Sequence, residues 1–171
     1  MKPRGFLLFF WLLGACERVP ELPPADASEA RGQVQRYELG TTDGEELSAQ
    51  SMHGRVTVLV FVTTFDLASQ VAAKRLNQVL HSHRPRINAG AVVLEAAKYA
   101  PLAQVFRSAL DLSYPVAIAD LSTLQQSSTF GEVRSVPTVL VLDRDGREVL
   151  RKSGAFSVDE LNGWLARAER P

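Results

Sequence analysis

Few side chains in this sequence are of the types that usually perform nucleophilic or metal chemistry: one cysteine, Cys16, and three histidines, His53, His81 and His83. A single cysteine excludes an intramolecular disulfide. On a helix, His81 and His83 would point to different sides, so they are poorly placed to share a metal ion. No glycine lies in the G-x-x-x-x-G-K pattern of a phosphate-binding loop. We therefore predict neither a metal site nor a bound cofactor.

The composition indicates one globular domain with balanced charge. The chain has 171 residues, of which 46% are hydrophobic, and its 19 basic side chains are matched by 19 acidic ones. That length is sufficient to bury a hydrophobic core without disulfides or metals. Nucleic-acid-binding domains normally carry a basic surface, so we expect no nucleic-acid partner. Nothing in the composition indicates an oligomeric state.

Residues 1–16 resemble the export signal of a bacterial lipoprotein. Lys2 and Arg4 precede an apolar run at 5–13, which is too short to span a bilayer but fits the hydrophobic region of a signal peptide. The run ends in Leu-Gly-Ala-Cys, similar to the lipobox at which signal peptidase II cuts before a cysteine that receives lipid. We expect residues 1–15 to be the signal peptide and Cys16 to anchor the protein to a membrane. An ordinary secretory signal is the alternative.

Residues 16–32 are expected to form a disordered tether between the lipid and the domain. The segment contains three prolines, several charges and small residues, and too little apolar surface to offset the entropy of ordering it. In enterobacterial lipoproteins an aspartate after the cysteine retains the protein at the inner membrane. Glu17 stands there instead, which slightly favours the outer membrane. We expect a protein of the bacterial cell envelope that faces the periplasm.

From residue 33 onward, predicted strands alternate with predicted helices. Apolar β-branched runs indicate strands, and the run at 56–62 has the composition of a strand buried on both faces. Apolar residues at helical spacing indicate amphipathic helices, and Ser157 and Glu160 have the spacing of a capping box. The predicted strands are 35–39, 45–47, 56–62, 89–94, 115–119, 138–142 and 148–151. The predicted helices are 67–82, 101–110, 121–130 and a last helix that follows Ser157 and includes Ala168.

This alternation predicts an α/β fold with a central mixed β-sheet flanked by helices. An N-terminal β-hairpin is expected around Asp43–Gly44, a dipeptide typical of tight turns. We expect Leu102, Ala103 and Phe106 on the core face of the second helix. Trp164 is expected to lie in the core as part of the last helix.

Three stretches of the predicted domain are similar to motifs of one family. Residues 54–65 resemble a strand that leads into F-W-A-x-W-C, residues 135–146 resemble V-P-T-x-x-x-x-D-x-x-G, and residues 113–120 resemble F-P-V…D. In this order they resemble the thioredoxin fold and, more narrowly, the TlpA/ResA-type thiol–disulfide proteins and their peroxiredoxin (redoxin) relatives. The resemblance spans nearly all of the expected domain, 33–171. It implies a mid-domain helix–strand insertion at 99–119.

The thiols of that family are missing. In the family the strand ends in C-x-x-C at the start of a helix, where unpaired backbone N–H groups and the helix dipole stabilise a thiolate. The matching residues here are Asp-Leu-Ala-Ser, from Asp66 to Ser69. Without a thiol the chain cannot form a mixed disulfide or reduce a peroxide by the family route. The sequence therefore favours a protein that is not an enzyme.

Asp66 has two interpretations. Its side chain could cap the N-terminus of the following helix, as aspartate commonly does. Alternatively its carboxylate lies in a preserved groove and binds a cation or a basic side chain of a partner. Ser69 is disfavoured as a nucleophile, because no histidine lies near it in the sequence.

The family resemblance also implies a groove beside the start of that helix. In the family the proline of V-P-T follows a cis peptide bond, and the residue before it leaves its backbone groups free to pair with an extended peptide. Pro137 is the matching proline. The residues expected to border the groove are Thr64, Phe65, Asp66, Val136, Pro137 and Thr138.

The favoured function is that of a non-catalytic thioredoxin-like lipoprotein that binds a protein or peptide at the cell envelope. One alternative is a thiol–disulfide oxidoreductase or redoxin-type protein that acts with the thiols of a partner. Another is a structural relic that binds nothing.

Overall fold

The computed structural model describes residue 32 and residues 34–170. The predicted signal peptide, the lipidation site at Cys16 and the predicted tether up to residue 31 lie outside the described residues. Within the described part of the chain, no helix has the length and apolar character needed to cross a membrane.

The described residues form seven strands, four α-helices and one 3₁₀ turn at Ala97–Tyr99. The strands are β1 (Glu38–Gly40), β2 (Glu46–Ser48), β3 (Val56–Val62), β4 (Ile87–Val93), β5 (Val116–Ile118), β6 (Thr138–Leu142) and β7 (Glu148–Ser153). The helices are α1 (Leu67–His83), α2 (Ala100–Ala109), α3 (Leu121–Leu124) and α4 (Val158–Ala168).

The central sheet is mixed, as predicted. Its five strands lie in the order β5-β4-β3-β6-β7, and β1 and β2 pair separately as the expected hairpin. The neighbours β3, β4 and β5 run parallel, whereas β6 is antiparallel to β3, and β7 is antiparallel to β6. Every residue of β3 is buried, which is what its β-branched apolar composition predicts for a strand covered on both faces.

Two hydrophobic clusters cover the two faces of the central sheet. The first contains the apolar sides of α1, α2 and α4, including Leu76, Phe106 and Leu161, packed on alternate residues of β3. The second packs the hairpin and the connection from β5 to β6 on the other face, with Leu47 and Phe130 among its buried members. Alternation of side chains along β3 supplies both clusters from one strand.

The hairpin lies close to the sheet because Gly90 in β4 has no side chain. A Cβ atom at Gly90 would lie 2.5 Å from Cδ1 of Leu47 and 3.2 Å from Cδ2 of Leu59. Gly44, at the turn predicted from Asp43–Gly44, has a positive φ of 79°, which favours glycine. The sequence therefore specifies both the turn and the depth to which Leu47 is buried.

Two predictions about the helices are wrong in part. The helix predicted over 121–130 is a single turn that ends at Leu124, and Phe130 reaches the second cluster from a loop. Leu102, expected in the core, is exposed, whereas Ala103 and Phe106 are buried. A window with weak periodicity cannot tell a continuing helix from a loop whose apolar residue is buried by tertiary contacts.

The last helix begins as predicted. The Ser157 side chain accepts a hydrogen bond from the backbone N–H of Glu160, and the Glu160 carboxylate accepts one from the backbone N–H of Ser157 at 2.7 Å. Trp164 is only partly buried; its ring packs against Phe156 with centroids 5.9 Å apart. The helix docks through Leu161 and Leu165 instead.

A buried ion pair lies within β7, and Gln35 from the segment before β1 contacts it. Glu148 is 5% exposed, and its two carboxylate oxygens accept hydrogen bonds from Nε and Nη2 of Arg151, both at 2.8 Å. Nη2 of Arg151 also donates to the carbonyl of Phe130 at 2.7 Å. Gln35, also buried, contacts the same carboxylate at 3.4 Å. Planar two-point pairing of this kind is the strongest geometry for a guanidinium and a carboxylate.

Candidate functional site

The predicted groove residues lie at one edge of the sheet. The strands β3 and β4 are parallel with Val62 opposite Val93, so the residues after both strands leave the sheet together. The antiparallel strand β6 enters at the same edge, because Phe61 of β3 is opposite Thr138. The register therefore brings 63–66, 94–95 and 135–137 to one edge, although these segments are distant in the sequence.

Asp66 caps helix α1. Its Oδ2 accepts a hydrogen bond from the backbone N–H of Ser69 at 2.7 Å, and its backbone is extended, as an N-cap requires. Hydrogen bonding from Ser69 holds the pKa of the Asp66 carboxyl below its usual value. The capping interpretation of Asp66 is confirmed. The positive end of the helix dipole is thus already occupied by a carboxylate of the chain itself.

Ser69 is fully buried behind the start of α1. Its Oγ accepts a hydrogen bond from the backbone N–H of Thr63 at 3.3 Å, which connects the end of β3 to the first turn of the helix. The hydroxyl therefore fills an interior position and contributes to packing and hydrogen bonding rather than facing a substrate.

Glu95 is a site residue that the sequence analysis missed. It is the second residue after β4 and is 9% exposed. Its Oε1 accepts hydrogen bonds from the backbone N–H of Thr64 at 2.6 Å and from the Thr64 hydroxyl at 2.7 Å. Its carboxylate thereby holds the loop between β3 and α1. The available signal was its position, since a residue just after β4 must lie beside a residue just after β3.

The wall on the β6 side is formed by 135–138. The Val136–Pro137 peptide bond is cis, as the family resemblance implies, and a second cis bond joins Arg84 and Pro85. Pro137 and Thr138 are buried, and the Thr138 hydroxyl donates to the carbonyl of Ser135 at 2.7 Å. These two residues support the wall from beneath. Val136 is partly exposed.

The backbone groups of Val136 are available for pairing. Neither its N–H nor its carbonyl hydrogen-bonds to another of the residues that the structure describes. The carbonyl of the next residue, Pro137, accepts from the backbone N–H of Gly154 at 2.7 Å. The peptide groups at Val136 therefore differ from their neighbours in being open to a partner.

Large apolar side chains are exposed beside Asp66. Phe65 is 81% exposed and Leu67 is 73% exposed, and Val71, one helical turn after Leu67, is partly exposed. Exposed apolar side chains grouped at one position are typical of binding surfaces, whereas isolated ones are ordinary. Three of the predicted groove residues, Thr64, Phe65 and Asp66, thus adjoin an apolar surface.

The histidines lie away from this edge. His81 and His83 are at the end of α1, where Nδ1 of His83 lies 3.0 Å from the carbonyl of Val79, and His53 is in the loop before β3. Among the described residues, no three His, Cys, Asp or Glu side chains form a group suited to a metal ion.

Comparison with solved structures decides the fold. A homologue of DsbF from Corynebacterium diphtheriae superposes with a TM-score of 0.71 at 16% identity, covering 85% of this chain and 96% of its own. A secreted disulfide oxidoreductase of Mycobacterium tuberculosis, homologous to E. coli DsbE, gives a TM-score of 0.64 at 22% identity, covering 77% and 96%. A thioredoxin-like protein from Aeropyrum pernix gives 0.64 at 19% identity, covering 77% and 89%. This chain has a thioredoxin-like fold.

Sequence comparison alone does not reach this result. No family model matches the chain, and no curated protein matches it. The similarity to the solved structures therefore establishes the thioredoxin-like fold and leaves the activity to be argued from the site. In this thioredoxin-like domain the two positions matched to thiols are a helix cap, Asp66, and a buried hydroxyl, Ser69.

Proposed function

We propose that this chain is a non-catalytic, thioredoxin-like protein of the bacterial cell envelope that binds an extended peptide segment of a partner. The proposed groove lies between the loop at 64–66 and the wall at Val136. The observation that carries the proposal is the contrast between these two sides. The residues at the two thiol positions, Asp66 and Ser69, form hydrogen bonds within the fold, whereas the backbone groups of Val136 remain open to pairing.

The residues at the two thiol positions form hydrogen bonds within the domain and carry no thiol. The Asp66 carboxylate is hydrogen-bonded at the start of α1, and the Ser69 hydroxyl is buried and accepts from the backbone of Thr63. The single cysteine of the sequence, Cys16, is 50 residues before Asp66. Disulfide exchange requires a thiolate that can attack a disulfide sulfur, and no residue in the groove supplies one.

The groove retains what peptide binding needs. An extended peptide can pair its main chain with open N–H and carbonyl groups at the edge of a sheet, which gives affinity, while side-chain contacts give specificity. Val136 offers such backbone groups. Phe65 offers a large exposed aromatic surface at the same edge, and aromatic side chains contribute strongly to binding interfaces.

We further propose that the domain is attached to a membrane through lipid on Cys16 and faces the periplasm, with the outer membrane favoured by Glu17. The lipobox-like residues Leu-Gly-Ala-Cys at 13–16 support this location. The similar structure from M. tuberculosis is that of a secreted protein, which agrees with export of this chain. Metabolic labelling with a fatty-acid analogue, compared between the natural chain and Cys16→Ser, tests it directly.

In-cell photocrosslinking tests the binding function. A photoreactive benzoylphenylalanine in place of Phe65 keeps an aromatic ring at an exposed position, and the same substitution at the exposed Arg167 of α4 is the control. We expect one discrete protein adduct from position 65 and none from position 167. Adding Val136→Trp should abolish the adduct by filling the groove, whereas Val105→Trp, on an exposed valine of α2, should leave it intact.

Other results would contradict the proposal. Equal adducts from positions 65 and 167, or no adduct from 65 in a well-expressed chain, would favour a relic that binds nothing. An adduct lost when the cysteines of the captured protein are replaced would favour action through the thiols of a partner. Reduction of insulin disulfides or of peroxide by the purified chain would overturn the non-catalytic assignment.

A further inference from the structure

Glu95 carries a buried charge that the fold does not neutralise. No lysine, arginine or histidine among the described residues lies within 4.0 Å of its carboxylate, although the side chain is 9% exposed. Only Oε1 is used, by the two hydrogen bonds from Thr64. Burial of an ionised carboxylate is unfavourable unless the charge is both paired and hydrogen-bonded.

The second carboxylate oxygen is accessible. Oε2 makes no hydrogen bond to a described residue, yet it is not among the fully buried polar atoms that lack a partner. It therefore reaches the surface beside Thr64, which borders the proposed groove. A ligand group arriving there would meet one free carboxylate oxygen in a largely desolvated position.

On the side of the groove formed by the loop 64–66 and Glu95, the charges favour a cation; on the opposite side, Arg134 pairs with Glu132 at 2.7 Å. Asp66 adds a second carboxylate to the same loop, and it already caps the helix N-terminus that could otherwise attract an anion. The cationic side chain nearest in sequence, Lys98, lies over the ring of Tyr99 with 5.0 Å from Nζ to the ring centroid. The loop 64–66 and Glu95 together thus present negative charge to whatever enters the groove.

We propose that the groove selects peptides that carry a lysine or arginine, whose cationic group pairs with Glu95. This inference rests on the proposed function and names the class of its ligand. Charge pairs in a poorly solvated position interact more strongly than pairs on an open surface. An extended peptide paired at Val136 would place a basic side chain beside Thr64 and Glu95 and leave flanking apolar side chains against Phe65.

A matched pair of peptides tests the proposal on the full chain in detergent micelles. The probes are acetylated, amidated Thr-Val-Thr-Lys-Thr-Val-Thr and the same peptide with norleucine in place of lysine, which removes the charge and keeps the aliphatic stem. Binding is measured by isothermal titration calorimetry. We expect the lysine peptide to bind about tenfold more tightly than the norleucine peptide, as loss of a desolvated charge pair implies.

The Glu95→Gln variant identifies the group responsible. Glutamine keeps an acceptor oxygen for Thr64 while removing the charge, so we expect the lysine peptide to lose about tenfold in affinity and the norleucine peptide to be unaffected. Glu38→Gln, which removes the same charge from the separate β1–β2 sheet, should change neither affinity.

The outcomes separate this inference from the function on which it rests. If both peptides bind equally, or if Glu95→Gln leaves the preference for lysine unchanged, the role of Glu95 is overturned while peptide binding stands. If neither peptide binds the natural chain, peptide binding in the groove fails, and the preference for a basic side chain fails with it.

Discussion

Glu148 and Glu95 are both buried glutamates, but only Glu148 has a cationic partner among the described residues. Both oxygens of Glu148 are held by Arg151 at 2.8 Å, and Gln35 contacts the same carboxylate. Glu95 accepts only from Thr64, on one oxygen. The fold neutralises the charge of Glu148, whereas the charge of Glu95 has hydrogen bonds from Thr64 but no cationic partner among the described residues, which is the basis for proposing a basic ligand there.

The largest predicted effect is a difference in the free energy of unfolding between variants of these two glutamates. Glu148→Gln leaves the guanidinium of Arg151 without its anionic partner and should cost about 3 kcal/mol in the free energy of unfolding, as loss of one member of a buried ion pair does. Glu95→Gln keeps an acceptor for both hydrogen bonds from Thr64 and leaves no cation unpaired, so it should change that free energy by no more than about 1 kcal/mol. Urea denaturation of both variants measures the difference.

Equal destabilisation by the two substitutions would break the comparison. It would mean that the charge of Glu95 also stabilises the fold, and that its position beside the groove is incidental. Arg144→Gln, on an exposed arginine in the turn before β7, gives the baseline for removal of a surface charge.

A smaller effect is expected for Glu160, another carboxylate that accepts hydrogen bonds within the fold. Hydrogen bonding from Lys152, and then from Ser157, lowers the pKa of Glu160 to about 2 from an ordinary value of 4.5. The unfolded chain therefore takes up a proton on Glu160 at a pH at which the folded chain does not. Its contribution to stability is complete above pH 4.5 and is lost as the pH falls from 4.5 towards 2.

Thermal unfolding between pH 6 and pH 2 checks this expectation. Glu160→Gln should lower the unfolding midpoint at pH 6 and reduce its decline on acidification, because the variant has no proton to take up at this position. Glu38 of β1 forms no ion pair with another of the described residues, so the curve of Glu38→Gln should follow that of the natural chain. The same curve for the natural chain and for Glu160→Gln would contradict the stabilisation of the Glu160 carboxylate by Lys152 and Ser157.

Local patterns predicted the elements that decide the fold. The strands at 56–62 and 138–142 have the predicted bounds, because unbroken β-branched runs leave no competing interpretation. The capping box of Ser157 and Glu160 and the N-cap at Asp66 were also predictable, because a cap depends on residues three apart in the sequence.

Contacts between residues distant in the sequence could not be predicted from those local patterns. Glu95 contacts Thr64 from 31 residues away, and Gln35 contacts Glu148 from 113 residues away. An isolated glutamate gives no sign in the sequence of whether it will be buried, because that depends on which strands become neighbours. For the same reason the sequence predicts a helix that extends to Phe130, whereas the second cluster buries this residue from a loop.

The most direct test of the proposed groove is hydrogen exchange at the backbone N–H of Val136, measured by NMR on the full chain with and without the lysine peptide. This N–H lacks a partner among the described residues, so it should exchange rapidly in the chain alone. If an extended peptide pairs with Val136, its exchange should slow by at least about tenfold at saturation, while exchange at the helical N–H of Arg167 in α4 is unaffected. Saturated binding with unchanged exchange at Val136 would contradict the account, because the peptide would then occupy some other surface.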